Sequence, residues 1–190
     1  MSGSEFHVHG PHDHEVEHAA HSGDSFAGRI AVMTAIFATL GAMFGYMGGA
    51  TQNEALLFKN EAAIKRTEAS DQWNFYQAKS SKQNLAELGA TLASGAEAER
   101  YKADVERYKK EKAEIEPKAR ELEKATGVAE TRSEEAMHVH HRWAQATTLI
   151  QIAIALAAIT LLTRNNGLQY ISYGVAAGAI VLAILALQHI

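Results

Sequence analysis

Three stretches of the chain carry no charged side chain: Ile30 to Asn53, Trp143 to Thr163, and Asn165 to the last residue. Each holds about 20 residues or slightly more, the length an α-helix needs to cross a hydrocarbon core of about 30 Å. A core helix of a water-soluble bundle keeps a polar stripe. "IAVMTAIFATLGAMFGYMGGA", "WAQATTLIQIAIALAAITLLT" and "LQYISYGVAAGAIVLAILAL" keep none. Arg29, Arg142 and Arg164 bracket the runs, and Tyr46, Trp143, Tyr170 and Tyr173 stand where amphipathic rings favour a headgroup region. The slightly polar mean hydropathy, −0.17, hides this segregation. The pattern predicts an all-α integral membrane protein with three transmembrane helices, at 27–50, 143–163 and 168–188.

Residues 1–26 form an acidic, His-rich tail, with Glu5, Asp13, Glu15, Glu17 and Asp24 and no Lys or Arg. Such a tail is unlike the short basic start of a cleavable signal peptide. With so few apolar residues it is expected to be disordered without a ligand. Cysteine is absent, which excludes disulfides, thiolate metal sites and Cys nucleophiles.

Residues 51–142 hold all 18 basic residues except Arg29 and Arg164, and all 22 acidic ones except the five of the tail. A near-neutral mixture of this kind covers salt-bridged helix surfaces. The first half repeats every seven residues at Leu57, Ile64, Ala78, Leu85 and Leu92, with Asp71 as a polar break; Trp73, Phe75 and Tyr76 thicken its middle. "ASG" at Ala93–Gly95 reads as a helix stop. The second half runs Tyr101, Val105, Tyr108, Lys112, Ile115, Ala119, Leu122, the alternating 4–3 spacing of a coiled-coil seam. Pro117 is expected to kink that helix or begin a new one, and Gly127 to break it again. From Val128 the chain is expected to run unbroken into the second apolar helix. The economical reading is an antiparallel, coiled-coil-like helical domain inserted between the first and second transmembrane helices. "RNNG" at Arg164–Gly167 is short enough only for a tight turn, making the last two helices a hairpin.

Orientation follows from Lys and Arg near the apolar ends. Lys59, Lys65, Arg66, Lys124, Arg132 and Arg142 stand on the side of the charged domain, against Arg29 and Arg164 on the other. The positive-inside rule then places the domain in the cytoplasm and the tail outside.

The string Gly48–Glu87, and above all "ASDQWNFYQAKS" around Trp73, resembles the bacterial membrane proteins grouped as domain of unknown function 4337, and the similarity extends over most of the chain. The resemblance implies a bacterial inner-membrane protein. It carries no activity and no catalytic or ligand-binding residue.

Three groups of residues are candidates for chemistry or assembly. The tail reads His7, His9, His12, His14, His18 and His21 among carboxylates, a donor set suited to zinc, copper or nickel. The bland readings are adventitious affinity or a tail that merely titrates. Near the second apolar run, Glu134, His138, His141 and Gln145 are spaced 4, 3, 4 and share a helix face. Glu135-x-x-His138 is half of a di-iron motif whose second copy is missing. His138 and His141 could gather around an oligomer axis, although a solvated polar face is the simpler account. Gly41, Gly45 and Gly49, and likewise Gly174 and Gly178, repeat every four residues, a spacing that lets helix backbones approach within one chain or between chains.

No ionisable residue interrupts the apolar runs, which argues against an ion-coupled carrier. Neutral Gln145, Thr148 and Gln151, or Thr34, could still line an oligomeric pore. No phosphate loop, nucleophile elbow, HExxH or dinucleotide fingerprint occurs, and the interleaved charges argue against nucleic acid. The expectation is a non-enzymatic inner-membrane scaffold or accessory subunit. It would act through self-assembly in the lipid bilayer, with itself and with another membrane protein as partners. The rival is a channel-like or metal-handling oligomer.

Overall fold

The computed structural model describes residues 25–188, in three helices and no strands. Helix α1 spans Ser25–Leu92, α2 Ala96–Thr163 and α3 Asn166–Leu187. All three are long and apolar enough to cross a membrane. The apolar runs at 27–50 and 143–163 are not separate elements but the ends of 68-residue helices that continue through the charged sequence.

The two breaks fall at the expected places. At the first, Gly95 adopts φ +63°, a left-handed backbone that glycine takes without steric cost. At the second, Arg164 takes φ 51°, and the Asn165 side chain then caps α3 by accepting from the Gly167 N–H at 2.8 Å. Pro117 and Gly127 break nothing, contrary to the sequence expectation. Pro117 and Ala113, whose carbonyl the proline leaves without a helical donor, both lie on the exposed face, where water can serve that carbonyl. Gly127 is followed by buried Ala129 and Ser133 and preceded by buried Thr126. That packing outweighs the intrinsic helix penalty of glycine, about 1 kcal/mol.

The described residues divide into two compact units, residues 25–52 with 137–188, and Asn53–Ala136. In the first, each helix buries one 3–4 seam. Large side chains of α1 (Ile30, Met33, Phe37, Phe44) meet small ones of α2 (Ala146, Ala153, Ala157) and α3 (Ala176, Ala179, Ala183, Ala186). Alanine seams let helices close up, and bulky α1 residues fill the remaining space. Ser172 donates to the Ala153 carbonyl at 2.8 Å, joining α3 to α2. Trp143 is buried and tilted against Phe44 at 5.7 Å between centroids. It packs inside this unit, whereas Tyr46 and Tyr170 are exposed.

In the second unit, α1 and α2 run antiparallel: Ser133 donates to the Ala55 carbonyl, Trp73 to Glu123, and Lys79 pairs with Glu111. The α2 seam is as expected, with Val105, Ile115 and Ala119 buried. Burying Val105 or Ile115 contributes roughly 1.5–3 kcal/mol each. The α1 seam differs. Ala55, Ala62, Ala69 and Ala86 are buried, whereas Leu57, Ile64, Leu85 and Leu92 are 58–79% exposed. The reason is volume. Tyr101 lies where a Cβ on Gly89 would come within 2.9 Å of its ring, and Ser133 comes close enough to donate to the Ala55 carbonyl, so the packed face of α1 has room only for small residues.

Candidate functional site

The His-rich tail, His7 to His21, lies outside the described residues. His138 and His141 are exposed on α2, as are Glu134, Glu135 and Gln145. Among the described residues no three of His, Asp and Glu form a group that could hold a metal ion. The histidine the fold uses is the one between them. His140 is half-buried, and its Nδ1 lies 2.8 Å from the Gly48 carbonyl oxygen. Because that oxygen can only accept, Nδ1 carries the proton. Spacing arguments passed over His140 because it shares no face with a carboxylate.

The glycines separate into two sets. A Cβ on Gly41 would stand 3.2 Å from Ile150, one on Gly48 3.4 Å from the Trp143 Cβ, and one on Gly178 3.7 Å from Leu149. All three face neighbours inside the chain, and only at Gly41 is the approach tighter than an ordinary contact. Gly45, Gly49 and Gly174 would meet nothing within 4 Å, so their smallness has no use within the described chain. Ala38, Ala42, Gly45 and Gly49, spaced 4, 3, 4, are all exposed. Gln145, Thr148 and Gln151 also face outward from α2, while Thr34 is half-buried and bonds back to the Ile30 carbonyl.

The segment around Trp73 builds a polar groove in the second unit. The Trp73 indole N–H donates to Glu123 at 2.8 Å, and the Arg120 guanidinium stands 5.8 Å from its ring. Arg66, Ser70, Trp73, Asn74, Gln77 and Thr126 border a groove of about 420 Å³. One turn on, the Lys79 ammonium lies 2.5 Å from Glu111 and 5.0 Å from the Phe75 ring. The hydrogen bond from Lys79, reinforced by Arg107, holds the Glu111 carboxyl below its usual pKa. These groups suit hydrogen bonding and charge pairing, and most are engaged in joining α1 to α2.

The outer face of α1 in this unit is different. Leu56, Leu57, Ile64, Phe75, Leu85, Leu88 and Leu92 are each about half exposed or more. Leu57, Ile64, Asp71, Ala78, Leu85 and Leu92 keep a strict seven-residue spacing on that face. The seven-residue repeat read from the sequence is therefore an outward stripe of α1.

The family model described as "Domain of unknown function (DUF4337)" matches residues 26–189, and the chain belongs to that family. No curated protein and no solved structure matches the chain.

Proposed function

We propose that this member of the DUF4337 family is a non-enzymatic membrane scaffold or accessory subunit that works by self-assembly. Its three apolar segments would sit in a bacterial inner membrane, with the charged unit on the cytoplasmic side where Lys and Arg are in excess. The observation that supports assembly is the outward stripe of Leu57, Ile64, Leu85, Leu88 and Leu92. Large apolar side chains repeated along one exposed helix face mark an interaction surface. A second copy suits it best. Copies inserted in one membrane share an orientation, so equal positions of their stripes meet at equal heights. That is the arrangement in which a heptad position faces its own counterpart, and a polar residue among them, here Asp71, sets register at some cost in stability.

Light scattering on the full chain in mild detergent tests the reading. A protein mass at a multiple of 20.6 kDa is expected. A mass of one chain under all conditions that preserve the helices would remove self-assembly. A reporter inserted at Gly95 should be active in the cytoplasm; a periplasmic signal there would reverse the orientation.

A second reading, a channel-like oligomer, is favoured by one feature. Gln145, Thr148 and Gln151 face outward from an apolar helix. Buried amides without partners cost several kcal/mol in hydrocarbon, roughly 2–7 on transfer scales. Neighbouring copies could satisfy them around a polar axis.

A further inference from the structure

We infer that the groove at the start of α1 is a binding site for one anionic phospholipid, an inference that rests on the membrane reading above. The groove has a volume of about 640 Å³ and lies between α1 and Tyr173 of α3. Its walls are Val32, Met33, Ile36, Phe37 and Tyr173, with Gly28, Ser25 and Arg29 at one end. Tyr173 is fixed there by an edge-on contact with Phe37 at 6.3 Å between centroids. From Gly28 to Phe37 the slot extends about 14 Å along the helix at 1.5 Å per residue.

The distribution of polarity names the occupant. The long part is apolar and fits a section of an acyl chain. The end carries a guanidinium and a hydroxyl, and no acidic residue lines the groove. Arg29 is exposed and forms no ion pair among the described residues. It stands at the edge of the uncharged run, where a lipid phosphate would lie if that run crosses a bilayer. Guanidinium binds phosphate with paired N–H groups and suits an anionic headgroup better than a zwitterionic one, whose own cation competes. Gly28 leaves the headgroup end open: a Cβ there would meet nothing within 4 Å.

The test uses the full chain in mild detergent, titrated with phosphatidylglycerol or with phosphatidylcholine and read by native mass spectrometry. Phosphatidylglycerol should be retained as a one-to-one adduct at lower concentration than phosphatidylcholine. Arg29→Gln should weaken phosphatidylglycerol retention about fivefold and leave phosphatidylcholine unchanged. Gly28→Leu places a side chain in the slot without a clash at Cβ and should weaken both lipids, with helix content by circular dichroism unaltered. Equal retention of the two lipids by the unmodified chain overturns the site. So does a phosphatidylglycerol preference that survives both variants. If the acidic tail occupies the groove instead, the preference will emerge only after residues 2–20 are removed, which also overturns it. Cell fractionation separates the two readings: a chain in the membrane fraction without lipid preference fails the lipid site alone, whereas a chain in the soluble fraction fails both.

Discussion

The His140 imidazole reaches across from α2 to the carbonyl of Gly48 on α1, Nδ1 to oxygen 2.8 Å, at a point where a Cβ on Gly48 would already be in van der Waals contact with Trp143. The Thr51 hydroxyl donates to the same carbonyl at 3.0 Å, so this oxygen collects donors from both helices. Nδ1 donates whether or not the ring is charged, so the contact survives protonation.

His140→Ala should therefore cost about 1 kcal/mol of stability, the usual net worth of such a bond. Gly48→Val, which thrusts branches at Trp143, should cost about 1–3 kcal/mol through overpacking. Thermal unfolding in detergent, followed by circular dichroism, measures both. Equal stability of Gly48→Val and the unmodified chain would show that the close approach is not needed.

Gly41 and Gly45 are one helical turn apart and should behave oppositely. Gly41→Ile presses on Ile150 and should lower the unfolding temperature of the chain. Gly45→Ile touches nothing inside the chain and should leave that temperature alone while weakening association by about tenfold, because a branched side chain holds neighbouring backbones apart. Light scattering beside the melting curves separates the effects. An unchanged mass for Gly45→Ile in dilution series would exclude this face from assembly.

The outward stripe predicts a gain as well as a loss. Leu85→Gln with Leu88→Gln should shift the assembly toward single chains, with the helices intact because neither side chain is buried. Asp71→Leu, which completes the apolar repeat, should shift it the other way. Chemical cross-linking in membranes reads both directions. If Asp71→Leu loosens the assembly, the stripe does not face its own copy.

Acid should weaken the second unit through Glu111. Its carboxyl is held below the ordinary value of 4.5, first by the hydrogen bond from Lys79 and then by charge. A lowered carboxyl contributes stability that is fully present above the unfolded value and is lost as pH falls through the lowered one. The gap in melting temperature between the unmodified chain and Glu111→Gln should be constant at neutral pH and close below about pH 4. A gap that persists undiminished to pH 2 would mean the ion pair contributes nothing.

Zinc offered to the full chain at pH 7.5 should bind through His7–His21, and deletion of residues 7–21 should abolish the heat seen by calorimetry. Because the ligand is neutral imidazole, occupancy should fall as pH drops through about 6.5. His138→Ala with His141→Ala should leave the binding as it was, since no metal-holding group forms around them among the described residues. Negligible heat from the intact chain would end the metal reading.

Much of the architecture was legible in the sequence, since length, absence of charge and turn chemistry are local quantities. The three apolar runs, the stop at Ala93–Gly95 and the turn after Arg164 depend on residues next to one another, and the chain breaks its helices at those two turns. The 4–3 seam of α2 was legible for the same reason: Val105, Ile115 and Ala119 are large or regular enough to stand out from charged neighbours.

What faces what was decided by the tertiary structure. A hydrophobic repeat says that a face seeks cover, and it does not say from whom. Leu57, Ile64 and Leu85 repeat as faithfully as Ala55, Ala62 and Ala69, yet the alanines are buried and the larger side chains are left outside once α2 has folded back. The same selection chose His140 over His138 and His141, and Gly41 and Gly48 over Gly45. Packing two helices fixes one distance and one register for both, and a side chain's volume acquires meaning only against the residue opposite.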